Sequence, residues 1–309
     1  MGIIQGNAKK DITPWICSKY TNCSFAKRNG VQKFTIYITD FWALEDKILI
    51  QQRVDLHPEL YEQFFGGLVP LIRKMIDKGY YPTGTYNEEY IPGKWCYQKT
   101  YRAHDYILIG YDDITQNFIS IGYRETRRFE RYLIPYENME QALRTVRAPK
   151  IRFGFFEMLK DAKFDLDMPR MLSGLTDYLE SKNSLQMYTA DKFWGMDAIR
   201  HLADLLVSSG EKDGYVDERY TRGLMEHKFF MRMRMDYLLK NGYLSDGKYL
   251  ELSTQAYQIA ERAHMLGLKY NLTRKATLLP RLHEMIDQIL EIEIDYLPQV
   301  LSELRKDPV

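Results

Sequence analysis

The chain has 309 residues, with 43 Lys and Arg against 42 Asp and Glu, 45% hydrophobic and 28% charged residues. That balance fits a folded protein with room for two cores and excludes a disordered tail or a membrane protein, since no apolar run approaches the ~18 residues of a span. A net charge of +1 leaves no whole-molecule footprint for nucleic acid, and the polar segment Met1–Asp11 lacks a signal-peptide pattern, so a cytoplasmic location is expected.

Along the chain, Thr13-Pro14 reads as a helix start, with Thr13 as N-cap and Pro14 at the first helical position, and the helix is predicted to run to about Lys27 and stop at Asn29-Gly30. Alternation over Lys33–Thr39 predicts a strand. Helical spacing over Asp55–Lys78 (Leu60, Phe64, Leu68, Leu71, Ile72, Met75) predicts a helix closed by Gly79. Tyr80–Tyr90 reads as an irregular strand, Tyr101–Tyr111 and Asn117–Tyr123 as a hairpin turning at Asp112–Gln116, and Phe129–Ile134 as a further strand. A short helix over Tyr136–Val146 and a strand over Ile151–Phe155 follow.

Beyond that strand the period changes. Met168–Lys182, Ala190–Ser209, Glu218–Asn241, Glu251–Leu268 and Lys275–Lys306 all repeat near 3.6 residues, with a kink or break expected at Pro298. The expected organisation is therefore an α+β domain over residues 1–150 and an all-helical domain over 151–309.

Three cysteines, Cys17, Cys23 and Cys96, with no C-x-x-C pair, argue against a disulfide framework and a tetrahedral zinc site. Cys17, expected near the start of a helix, is the candidate nucleophile because the positive end of the helix dipole favours a thiolate; Cys23 is the alternative if the helix begins near Asn22, and Cys96, in a strand-edge or loop region just ahead of His104, is a third option. His104, at the head of the first hairpin strand, is the candidate general base. Counting back from the turn with Asp112 opposite Asn117 places Glu125 across from His104 on the same face, as a candidate orienter of the ring. Alternation points Asp105 away. The ordinary role of each also stands: a free cysteine as a core residue, Glu125 as a surface partner of Arg124 or Arg127. The run Arg124, Arg127, Arg128 and Arg131 reads as a solvated face or as a site for an acidic carrier or a phosphate. Glu226, His227 and Lys228 lack helical metal spacing, since the i+4 partner of His227 is Met231, and read as an anchor of their helix or as a contact with the catalytic domain.

The segment His104–Asp113, the return strand Phe118–Tyr123 and the helix beginning at Tyr136 together resemble the amino-terminal domain of the butirosin biosynthesis protein H family, over roughly residues 10–150. Val216–Lys228 resembles a segment found in related proteins of antibiotic gene clusters. The resemblance implies a papain-like, cysteine-protease-type catalytic domain that moves an acyl group from a carrier-protein thioester to an amine in natural-product assembly. The implied partners are an acyl or peptidyl carrier protein and a small amine; no cofactor is expected beyond the phosphopantetheine on the donor, and no nucleic-acid or membrane partner. Gly122 stands where relatives have an aspartate. A papain-like peptidase and a non-catalytic carrier or small-molecule binder are the alternatives, and the oligomeric state is left open.

Overall fold

The computed structural model describes residues 2–28, 31–36, 44, 46–126, 128–148, 150–184 and 192–306. The expected stop at Asn29-Gly30, the end of the strand expected to reach Thr39, Arg127 of the arginine run, Pro149 and the expected helix start at Ala190 lie outside the described residues. Helices, in chain order, are α1 (Gly2–Asn7), α2 (Thr13–Cys17), α3 (Pro58–Phe65), α4 (Leu68–Asp77), α5 (Tyr136–Arg144), α6 (Met168–Leu179), α7 (Gly195–Asp213), α8 (Glu218–Lys240), α9 (Lys248–Thr273) and α10 (Leu278–Lys306). Strands are β1 (Ser24–Arg28), β2 (Val31–Thr35), β3 (Leu49–Leu56), β4 (Tyr81–Asn87), β5 (Ala103–Asp112), β6 (Asn117–Tyr123), β7 (Phe129–Pro135), β8 (Ile151–Met158) and β9 (Lys192–Trp194). The chain is thus mixed α/β, with a sheet-rich amino-terminal part and a helical carboxy-terminal region.

It divides into two compact units, Met1–Ala8 with Ala43–Lys163 and Lys9–Trp42 with Phe164–Val309. This differs from the single cut expected at residue 150. The reason is local: β1 pairs with β9 (Phe25↔Phe193) as well as with β2, and the Arg234 side chain of α8 donates to the carbonyls of Cys17 and Lys19. Residues 9–42 therefore fold with the helices.

In the first unit an antiparallel sheet of order β3-β8-β4-β5-β6-β7 packs one face on α3, α4 and α5. Alternation sends Phe153 and Phe155 of β8, Tyr106 and Leu108 of β5, and Phe118 of β6 into that layer, against Tyr61, Leu71, Ile72, Met139 and Leu143. Burial at roughly 1.5–3 kcal/mol per large apolar side chain is what holds the layers together. The single helix expected over residues 55–78 is broken in two because Gly66 and Gly67 take φ values of 71° and 116°, a left-handed turn that lets α4 start in a new direction.

In the second unit α8, α9 and α10 pack along Leu224, Met231, Met235 and Leu238, along Ala256, Ile259, Ala260 and Ala263, and along Leu282, Ile286, Ile289 and Leu297. These positions recur at the three-, four-, seven- and eight-residue spacings of one helical face. Helix α10 continues through Pro298 without the expected break. The first helix of this unit is the largest departure: α2 ends at Cys17 instead of about Lys27. Ser18, Lys19, Thr21 and Asn22 are buried and take up contacts with other elements, including Asn22 Nδ2 to the Lys182 carbonyl (3.1 Å), and Ser24 onward is claimed by sheet pairing.

Candidate functional site

His104 lies at the outer end of β5, in register with Tyr86 of β4. It shares a face with Tyr106 and Leu108, so the ring continues the core layer to the point where it meets solvent, and its side chain is half exposed. Directly after β4, Asn87 caps the 3₁₀ turn Glu88–Tyr90: its Oδ1 accepts from the Glu89 amide (3.1 Å) and from the Arg102 amide (3.1 Å), while the Glu88 amide donates to the Arg102 carbonyl (2.8 Å). Those bonds set the Glu88 carboxylate, itself buried, under the start of β5.

Four side chains converge on that carboxylate. His104 Nδ1 is 3.4 Å from Oε1, Lys94 Nζ is 3.4 Å from Oε1, Arg102 Nε is 3.6 Å from Oε2, and the Cys96 thiol donates to Oε2 at 3.5 Å. Lys94, also buried, donates to the Tyr123 carbonyl at 2.6 Å. A buried carboxylate is tolerated only with such compensation, and here cations supply most of it. His104 Nδ1 further lies 3.0 Å from the Asp105 carbonyl, an oxygen that can only accept. Flanked by two acceptors, Nδ1 carries the ring proton, and Nε2 is left as the basic nitrogen of the neutral ring.

The residue expected to orient the ring, Glu125, is exposed at the β6–β7 turn, where its amide donates to the Gly93 carbonyl (3.0 Å). Asp112 does pair with Asn117, but the β5–β6 register shifts by one residue between Leu108 and Gly110. A one-residue shift moves later positions to the other face, so counting from the turn no longer brings Glu125 to His104. Glu88 takes that place. The signal for it was an Asn-Glu-Glu turn between two successive strands, β4 and β5, since neighbours in sequence commonly pair. Gly122, standing in place of the relatives' acid, has the ring of Tyr132 within ordinary contact of where a Cβ would be, 3.6 Å, so sterics do not demand glycine there.

The thiols are placed differently from expectation. Cys17 and Cys23 belong to the second unit, His104 and Glu125 to the first. Cys17 closes the five-residue α2, too short and too late in the helix for an N-terminal dipole to act on its sulfur. Burial pushes its thiol up to about 11, opposed by the Arg234 charge. Cys23 is pushed up to about 12, again by burial, with the Lys228 charge opposing, and its thiol donates to the Gly195 carbonyl at 3.3 Å. Cys96 is raised by burial and then by the Glu88 charge. All three are buried and held protonated, so the thiolate expected at Cys17 is disfavoured by desolvation. Iodoacetamide at pH 8 should therefore leave the native protein unmodified and label it fully once unfolded in urea. The same shifts make stability fall with rising pH: folded-state protons on Cys17 and Cys23 are given up by the unfolded chain above the ordinary value of 9.0, so their contribution is whole below that pH and is lost as pH climbs to about 11 and about 12. Urea midpoints at about pH 8 and about pH 10.5 check the sign.

In the second unit His227 and Lys228 are anchors, as their spacing implied. His227 Nε2 meets the Thr21 carbonyl at 3.3 Å, and Lys228 Nζ lies 2.8 and 2.7 Å from the two oxygens of Glu293 on α10 and 2.8 Å from the Tyr178 hydroxyl, all fully buried. Among the described residues no group of His, Cys, Asp and Glu could hold a metal ion, and no helix is long and apolar enough to cross a membrane. No family model matches the chain, and no curated protein matches it.

Proposed function

We propose that the chain transfers an acyl group from a thioester to an amine, with His104 as the proton-transferring base and Glu88 as the residue that holds its ring. The sheet unit in this reading is a papain-like module of the kind the histidine hairpin resembles, and the donor is an acyl chain on the phosphopantetheine of a carrier protein. The observation that carries the reading is the imidazole itself: half exposed, its Nδ1 fixed between the Glu88 carboxylate and the Asp105 carbonyl, its Nε2 the nitrogen able to take a proton.

The amine nitrogen attacks the thioester carbonyl and loses a proton to Nε2. As the C–N bond forms and the C–S bond breaks, the imidazolium returns that proton to the departing sulfur, so one thioester and one amine give one amide and one thiol. Glu88 stabilises the transient imidazolium, and Lys94 and Arg102 hold that carboxylate in place. Because desolvation keeps all three thiols protonated, direct attack by the amine is favoured over a route through an acylated Cys17 or Cys23.

Octanoyl-pantetheine and butylamine, mixed with the protein and followed by mass spectrometry, test this. The expected result is amide formed over many turnovers, no acyl adduct on the protein, and activity kept in Cys17→Ser and Cys23→Ser. An acyl adduct that vanishes in Cys17→Ser would replace direct attack with the covalent route; amide no faster than in buffer would refute acyl transfer, leaving a peptidase or a binding protein on the same fold.

A further inference from the structure

The arginine run of the β6–β7 hairpin is absorbed by neither the core nor the base site. β7 is an edge strand of the sheet, and its residues alternate: Glu130, Tyr132 and Ile134 face the helices, while Phe129, Arg131 and Leu133 face outward. In register with these, β6 presents Tyr123 beside Phe129, Ile121 beside Arg131 and Ile119 beside Leu133. Phe129 is 58% exposed, Leu133 52% and Tyr123 44%, and the Tyr123 and Phe129 rings pack edge to face at 5.2 Å. Arg128 and Arg131 are exposed and make no ion pair among the described residues, while Arg124 lies 3.9 Å from Glu130. The acids nearby are Glu130, turned to the other face, and Glu125 in the turn.

We infer that this outward face of β6 and β7 is a docking surface for an acidic partner protein. Two large aromatic rings and a leucine around the unpaired Arg131, with the exposed Arg128 in the adjoining turn, have the composition of a protein interface, where aromatic residues and Arg carry most of the affinity. A polyphosphate partner would need a wider basic field than one hairpin on a chain of net charge +1. The excess of arginine over acid on this face selects a partner of opposite sign. Lys94 bridges the Glu88 carboxylate to the Tyr123 carbonyl at the strand ends, but His104 lies on the helix-facing side of the sheet, so a carrier seated on the outward face must pass its phosphopantetheine arm around the end of the strands to reach the ring. That last step rests on the proposed acyl transfer; the docking itself does not.

The test is therefore a binding measurement, kept apart from chemistry. A fluorescently labelled acyl carrier protein of acidic net charge, in its phosphopantetheinylated form, is titrated with the full chain by anisotropy. The double variant Arg128→Glu, Arg131→Glu is expected to weaken binding at least about tenfold, Phe129→Ala by about tenfold, and a rise in salt from about 50 to about 300 mM by a similar factor. Arg128→Lys with Arg131→Lys should keep most of the affinity, which separates lost charge from lost fold, and His104→Ala should bind as the parent does. If acyl transfer is also real, the charge-reversed protein still uses free octanoyl-pantetheine at the parental rate while losing the carrier-borne donor. Binding that is absent or indifferent to charge reversal overturns the inference, as would equally tight binding to duplex DNA, or self-association of the chain that Arg131→Glu abolishes.

Discussion

Glu293→Ala is expected to destabilise the protein by about 3–5 kcal/mol, enough to remove much of the stability of an ordinary domain. Glu293 meets both Lys228 and Tyr178 with no exposure to solvent, so its removal strands a buried ammonium that water cannot reach. The pair ties α8 to α10, and the adjacent His227 ties α8 to the buried segment at Thr21; one truncation therefore loosens three elements. Urea unfolding followed by circular dichroism gives the magnitude. The double variant Lys228→Met, Glu293→Leu removes both charges and should recover most of the loss, because desolvating an ion pair costs about as much as its attraction returns. Equal destabilisation by the single and double changes would show that packing, not charge, holds this point.

His104→Ala is expected to slow amide formation from octanoyl-pantetheine by about 10²- to 10⁴-fold, the usual contribution of a positioned base. Its half-exposed ring carries little of the core, so the urea midpoint should stay close to the parental value. Glu88→Gln is the sharper probe because it keeps the shape and removes the charge. As a positioning residue, Glu88 should affect kcat while leaving KM for the donor unchanged, whereas a purely structural role would lower the concentration of active protein and leave both constants of the remaining fraction intact. Active-site-independent measurement of folded fraction, by calorimetry, separates the two. Parental kcat in His104→Ala would end the case for this ring as the base.

Much of the secondary structure was legible because its causes are local. The hairpin turning at Asp112–Gln116, the strand ending at Pro135 and the helices of the second half all follow from periodicity and turn residues, and the structure has them within a few positions. Two failures have the same origin. Residues 18–27 satisfy helical spacing, yet Ser24–Arg28 pairs with β2 and β9 instead, β9 lying some 165 residues further along the chain, a competition that no window of sequence contains. No strand is expected over Leu49–Leu56 because Leu-Ile-Gln-Gln-Arg-Val-Asp-Leu lacks regular apolar alternation; pairing with β8 decides it.

The site divides along the same line. The amino-acid sequence determined on its own that His104 would stand at the open end of a strand, since alternation and the turn that follows are local properties. It also determined the odd, unpaired set of cysteines. Which carboxylate meets the ring, and whether any thiol is ionisable, were decided only in three dimensions. A one-residue register shift moved Glu125 away, strand pairing brought Glu88 in, and packing withdrew all three sulfurs from water. Charge states of buried groups depend on what is desolvated around them, and desolvation is a property of the folded neighbourhood rather than of any residue's place in the chain.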